Sequence, residues 1–137
     1  MDINAHTNDP QGIVEADRAH VWHHLSQHKP YANGVDPRII VEGKGLRVWD
    51  IKGKEHIDAV SGGVWTVNVG YGRKRIADAV AEQLTKMCFF GGLAGTIPTS
   101  IFSEMLIDKM PGLDRVYYAS SGSEANEKAF KMVRQIS

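Results

Sequence analysis

Apolar residues change their spacing several times along the chain, and each change marks an element. Ile13, Val14, Ala16, Ala19, Val21, Trp22 and Leu25 fall at mixed helical spacing and predict a helix from Ile13 to about Gln27. Residues 1–12 before it are polar, carry the turn signal Asn8-Asp9-Pro10 and read as a loose arm. Two prolines and Asn33-Gly34 make Lys29-Pro30 to Asp36-Pro37 a loop. Period-two alternation then predicts an antiparallel meander. Its strands are Ile39-Ile40-Val41, ended by Gly43 and Gly45, then Leu46–Asp50, and after a Lys52-Gly53 turn His56–Val60.

After Ser61-Gly62-Gly63 the period becomes helical. Ile76, Val80, Leu84 and Met87 form one stripe of a helix over Arg75–Met87. Phe89 to Gly95 is a loop with apolar side chains. Pro98 opens a second helix, with Phe102, Met105, Leu106 and Met110 on one stripe, and Pro111-Gly112 stops it. Arg115 to Ala119 is rich in aromatic and β-branched residues and predicts a strand. Ser123 to Ile136 predicts a third helix, with Ala125, Ala129, Met132, Val133 and Ile136 on its buried side. This order is how a three-layer α/β domain begins. One strand cannot make a doubly wound sheet, and the helical pattern at Arg134-Gln135-Ile136-Ser137 carries no stop signal. The expectation is therefore a longer protein of which this is the N-terminal part.

Composition narrows the class. The chain has 137 residues, 42% hydrophobic and 23% charged, the mix of a globular protein. Its 16 basic and 16 acidic residues balance, so charge gives no case for nucleic acid or an anionic membrane as partner. No apolar run approaches the length of a membrane span, and Met1-Asp2-Ile3-Asn4-Ala5-His6 does not read as a secretion signal. The single cysteine, Cys88, cannot form an internal disulfide, which fits a cytoplasmic protein. Beside Met87 and Phe89 it reads as a small buried hydrophobe.

The candidate chemistry lies where the predicted strand meets the third helix. The first N–H groups of a helix have no intrahelical partner and sit at the positive end of its dipole. A phosphate placed there accepts several backbone hydrogen bonds at once. In Ser120-Ser121-Gly122-Ser123, the glycine lets the backbone approach an anion and the hydroxyls of Ser121 and Ser123 can donate. Glu124 and Glu127 favour the dipole from the first turn. A serine cap also stabilises a helix by about 1 kcal/mol without any ligand, so the turn alone fits both readings. The sequence has neither the Gly-Lys-Ser/Thr of a P-loop nor the three-glycine dinucleotide fingerprint.

The wider pattern resembles the class III (ω) aminotransferases, which are fold-type I enzymes dependent on pyridoxal 5'-phosphate. The resemblance runs from about Trp22 to the end of the chain. It rests on Trp22-His23-His24-Leu25, on Val48-Trp49-Asp50 with Gly53 and Asp58, on Ser61 through Gly72, and on Arg115-Val116-Tyr117-Tyr118 leading into Ser121 through Glu127. It implies an N-terminal arm, helix and small-domain meander over residues 1–70, with the large cofactor-binding domain beginning over 71–137. It also implies that Ser121, Gly122 and Ser123 bind the cofactor phosphate. Relatives often carry asparagine where this chain has Ser120, a change expected to adjust the turn without abolishing binding.

The same resemblance sets Val64 and Trp65 against the substrate, although from the residues alone Trp65 reads as core packing. The Phe90-Gly91-Gly92-Leu93 loop matches a segment that reaches the neighbouring subunit's active site, so Gly92 and Leu93 are further substrate candidates and a homodimer is implied. Within the family, His23 to Lys29, Ser61 to Tyr71 and Lys128 to Gln135 look like members that move an amino group from taurine to pyruvate, giving alanine and sulfoacetaldehyde. The alternatives are another ω-amino acid or diamine donor or, for a chain that ends at Ser137, a non-catalytic phosphate-binding or dimerisation module. No metal is implied. His20, His24 and His28 stand at i, i+4, i+8, but no Cys or carboxylate completes a zinc set. Transamination needs a lysine linked to the cofactor. None of the lysines here has the family's context, Lys128 and Lys131 read as solvated helix positions, and the catalytic lysine is expected downstream.

Overall fold

Asp9 and Pro10 open the first element. The Asp9 carboxylate accepts the Gly12 N–H at 2.9 Å, and Pro10 supplies a fixed φ where no intrahelical partner is needed. In the computed structural model, which describes residues 9–91 and 93–136, helix α1 follows as Pro10–His20. It begins inside the segment expected to be a loose arm, of which residues 1–8 lie outside the described residues. It also stops well short of Gln27. Val21 is extended at φ −99° and ψ 124°, and Trp22 and Leu25 stand exposed with no surface to hold them on a helical face. The chain closes on its histidines instead. His23 Nε2 lies 2.6 Å from Asp17 Oδ1, and His28 Nε2 lies 3.0 Å from the His23 carbonyl. His20, His24 and His28 therefore share no helical face, and among the described residues no three metal-ligating groups come together. The following loop contains a single helical turn, α2 (Lys29–Ala32).

The meander is β1 (Ile40–Lys44), β2 (Arg47–Asp50) and β3 (Glu55–Ile57), in the order β1-β2-β3. Both pairings are antiparallel, with Gly43 opposite Val48 and Val48 opposite His56. The expected end of β1 at Gly43 is corrected, because Gly43 is a strand residue. The Tyr71 ring occupies the space above it, and a Cβ on Gly43 would lie 2.5 Å from Tyr71 Cγ. Asp50 builds the β2–β3 turn. Its Oδ1 accepts the N–H groups of Lys52 and Lys54, both at 3.0 Å, and its Oδ2 lies 2.7 Å from His56 Nε2. These bonds, that to His56 foremost, hold the Asp50 carboxyl below the usual carboxylate range. The third strand is shorter than expected, because Asp58 and Val60 belong to the next turn.

Three longer helices follow, α3 (Lys74–Lys86), α4 (Ile97–Ile107) and α5 (Gly122–Ile136). Thr96 caps α4 through the Thr99 N–H, with Pro98 in the first turn. The chain divides into two compact units, Met1–Glu82 and Gln83–Ser137. Among the described residues burial is confined to the first, at Val14 (3% exposed) and Val48 (7%) with Pro37, Asp50 and Gly70.

Two expectations of burial are corrected here, because Met132, Val133 and Ile136 on α5 are exposed, as is Cys88. The apolar stripes at Ile76, Val80 and Leu84 on α3 and at Phe102 and Met105 on α4 are exposed too. An apolar helical face is buried only against a second layer, and no described element covers these. The strand expected at Arg115–Ala119 is also absent among the described residues, because a strand exists only through its ladder and this segment pairs with no other. Lys128, expected to be solvated, is half-buried. Its Nζ donates to the Tyr118 carbonyl and lies 4.2 Å from the Tyr117 ring centroid.

Candidate functional site

Two turns carry the candidate residues, one in each compact unit. The first follows β3. Asp58 accepts three hydrogen bonds: the Val60 N–H at 3.0 Å, the Gly62 N–H at 2.6 Å and the Tyr71 hydroxyl at 2.6 Å. These bonds, Tyr71's foremost, hold the Asp58 carboxyl below its ordinary range, and the same contact raises the Tyr71 phenol. The backbone then winds wide. The N–H groups of Trp65 and Thr66 reach back to the carbonyls of Val60 and Ser61, at 3.0 and 2.8 Å. Gly62 and Gly63 take φ of 81° and 83°, and Ser61 and Trp65 are forced to 54° and 59°. Ser61 Oγ accepts the Val67 N–H at 3.0 Å. Tyr71 is tied to the sheet by two backbone bonds with Gly45, at 3.1 and 2.9 Å.

That winding presents Val64 and Trp65 outward, Trp65 with 75% of its surface exposed. A bulky residue at positive φ is uncommon and is sustained only where its surroundings over-determine it.

The second turn opens α5. The Ala125 N–H bonds the Ser121 carbonyl at 3.0 Å and the Glu124 N–H bonds Ser121 Oγ at 3.2 Å, so Ser121 is the cap. Glu124 reaches back, its Oε2 accepting the Ser120 N–H at 2.9 Å, in the manner of a capping box. The N–H groups of Gly122 and Ser123 have no partner among the described residues. Space above Gly122 is open, with nothing within 4 Å of where a Cβ would stand, and its φ is not in the left-handed region. Neither backbone strain nor crowding asks for glycine there. A group that approaches the backbone closely would. The arrangement fits a phosphate: two free N–H groups, the Ser123 hydroxyl and the Ser121 hydroxyl hydrogen converge on the positive end of a helix.

Of the residues singled out by sequence, the turn brings Ser121, Gly122 and Ser123 together, while Val64 and Trp65 belong to the first unit. Leu93 is fully exposed, and Gly92 lies outside the described residues. Sequence reasoning gave no role to Asp58 or Tyr71, which organise the first turn. A carboxylate just before Ser-Gly-Gly was the available signal, since aspartate readily caps the amides that follow it. Nothing local pointed to Tyr71, whose partner is distant in sequence.

Comparison with known proteins bears on these turns. The family model described as aminotransferase class-III matches residues 30–137. The hypotaurine/taurine–pyruvate aminotransferase of Paracoccus denitrificans is 63% identical over 136 residues, covering 99% of this chain and 29% of that protein. The taurine–pyruvate aminotransferase of Rhodobacter capsulatus is 64% identical over 129 residues, covering 94% of this chain and 28% of that one. Among solved structures, an (S)-enantioselective ω-transaminase from Thermomicrobium roseum superposes with a TM-score of 0.83 at 34% identity, over 90% of this chain and 28% of its own. The chain thus spans under a third of the length of the relatives it matches. Among the described residues no helix is long and apolar enough to cross a membrane.

Proposed function

The chain belongs to the class-III aminotransferase family, and from that membership we propose that the protein carrying it moves the amino group of taurine to pyruvate, giving alanine and sulfoacetaldehyde. The observation that carries the reading is the likeness to taurine–pyruvate aminotransferases over nearly the whole chain. Its cofactor is pyridoxal 5'-phosphate, which when bound supplies an electron sink that makes amino-group transfer possible at neutral pH. Ser121, Gly122 and Ser123 hold the phosphate through the free N–H groups and hydroxyls at the head of α5. Glu124 accepts the Ser120 N–H and fixes the turn before the phosphate arrives. Val64 and Trp65 form one wall beside the amine donor, where the exposed indole offers a flat apolar face and one N–H. Gly92 and Leu93 reach the neighbouring active site of a cytoplasmic homodimer. Residues 1–70 belong to the small domain, and 71–137 begin the large one.

The test is direct. The full-length protein, supplied with pyridoxal phosphate, taurine and pyruvate, should release alanine and aldehyde in equal amounts. Release of alanine only from another ω-amine, with none from taurine, overturns the donor assignment. No alanine from any amine overturns the enzyme reading.

A further inference from the structure

Trp65 sits at φ 59°, a conformation that bulky side chains avoid, and yet its indole stands in the open. Its own packing does not hold it there. What does is a chain of contacts that leads away from it. The Trp65 N–H is bound to the Val60 carbonyl at 3.0 Å. The Val60 and Gly62 N–H groups are bound to the Asp58 carboxylate, at 3.0 and 2.6 Å. That carboxylate takes the Tyr71 hydroxyl at 2.6 Å. Tyr71 is fixed twice over, by its backbone bonds to Gly45 and by the seat its ring takes on Gly43. The phenol thus links the wound turn to the β meander.

The geometry points to Tyr71 as a positioning residue that acts through Asp58 to set Trp65 against the amine donor, so that the Tyr71 hydroxyl tunes which donors are accepted. This rests on the assignment of Trp65 to the donor wall. Gly43 belongs to the same device, since only a residue without a Cβ leaves room for the ring.

Steady-state kinetics on the full-length protein, saturated with pyridoxal phosphate, test it with Y71F, W65A and the double variant. Removing the hydroxyl deletes one hydrogen bond to a charged acceptor. It should raise the donor KM roughly tenfold while the visible absorbance of the bound cofactor is retained. In the W65A background, Y71F should add nothing, because the residue through which it acts is gone. A W65A enzyme with an unchanged donor KM overturns the pocket assignment itself. A clear W65A effect beside wild-type kinetics for Y71F overturns the positioning role alone, and so does a Y71F effect that persists undiminished in W65A. Should Y71F fail to fold, G43A keeps the phenol but sets a methyl 2.5 Å from Tyr71 Cγ. It should raise the donor KM in the same direction, and an unchanged value overturns the proposal.

Discussion

Two turns in this chain use the same parts, a serine and a carboxylate around backbone N–H groups, to opposite ends. Around Asp58 the donors point inward. The N–H groups of Val60, Gly62 and Val67 and the Tyr71 hydroxyl all end on side chains of the same segment. Around Ser121 the two side chains satisfy the N–H groups of Ser120 and Glu124 and leave those of Gly122 and Ser123 facing out. The glycines divide in the same way. Gly62 and Gly70 are required by φ of 81° and 79° and by close neighbours, whereas Gly122 is required by nothing in its own surroundings. A closed turn explains its sequence from within. An open turn leaves N–H groups and a glycine that a ligand could use.

The sharpest way to break this contrast is to put a charge into the open turn. G122D places a carboxylate where the phosphate is proposed to sit, and should weaken cofactor retention by about a hundredfold or more, from the loss of charge-assisted bonds to the backbone. An acidic residue at the first helical position favours the helix dipole, so the cofactor-free protein should be no less stable. Dialysis followed by visible absorbance reads the first, and urea unfolding the second. Full retention of cofactor in G122D would remove the phosphate site.

Glycine-to-alanine exchange should have opposite signs in the two turns. At Gly70 a Cβ would lie 2.8 Å from the Gly45 carbonyl oxygen, with φ at 79°. G70A should therefore destabilise by about 2 kcal/mol. At Gly122 the added methyl meets open space. G122A should stabilise the cofactor-free protein by roughly 0.5 kcal/mol or more through the unfolded chain, while loosening the cofactor. Urea unfolding of both variants checks the pair, and equal signs would show that the two turns are not different in kind.

The contrast also accounts for what was legible in the sequence. The meander could be read because Leu46 and Val48 alternate with Arg47 and Trp49 and glycines punctuate its turns. The helices α3, α4 and α5 could be read because their apolar stripes are periodic. Ser121-Gly122-Ser123 could be read because capping chemistry is local. Burial could not, since periodicity says that a face wants cover but not whether cover is present, and so Met132, Val133 and Cys88 were misplaced. The expected strand at Arg115–Ala119 failed for the same reason, because a ladder needs a partner. Helix α1 was extended too far because Trp22 and Leu25 look helical by spacing, while the interactions that end it, His23 to Asp17 and His28 to the His23 carbonyl, are not periodic. Tyr71 was missed because its partner Asp58 is reached only after the chain has wound through Ser61–Trp65.

Acid should separate the turns as well. The Asp58 carboxyl lies below its ordinary range, chiefly through Tyr71, so its folded value is lower than its unfolded one. The stability it contributes is fully present above the unfolded value and is lost as pH falls through the folded one. Hydrogen exchange at Gly62 should therefore accelerate only at pH below the ordinary carboxylate range, and D58N should abolish that acid dependence. Tyr71, raised by the same contact, acts at the other end. Its contribution is present below the ordinary phenol value and is lost as pH rises through the folded one. Protection at Gly62 that fades near neutral pH would contradict both shifts.

The smallest expected effect concerns Glu124, whose side chain, like that of Ser121, binds the backbone of the open turn. Its carboxylate binds the Ser120 N–H and also stands in the first turn of α5, so it contributes both a hydrogen bond and a favourable charge at the dipole. E124Q keeps an acceptor for the Ser120 N–H and removes only the charge. In the cofactor-free protein that should cost about 0.5 kcal/mol, less at high salt. In the holoenzyme the same charge opposes the phosphate, and its removal should leave retention unchanged or slightly tighter. A loss of retention in E124Q as large as in G122D would mean that the turn depends on the Glu124 charge to hold its shape. The open turn would then be as self-contained as the closed one.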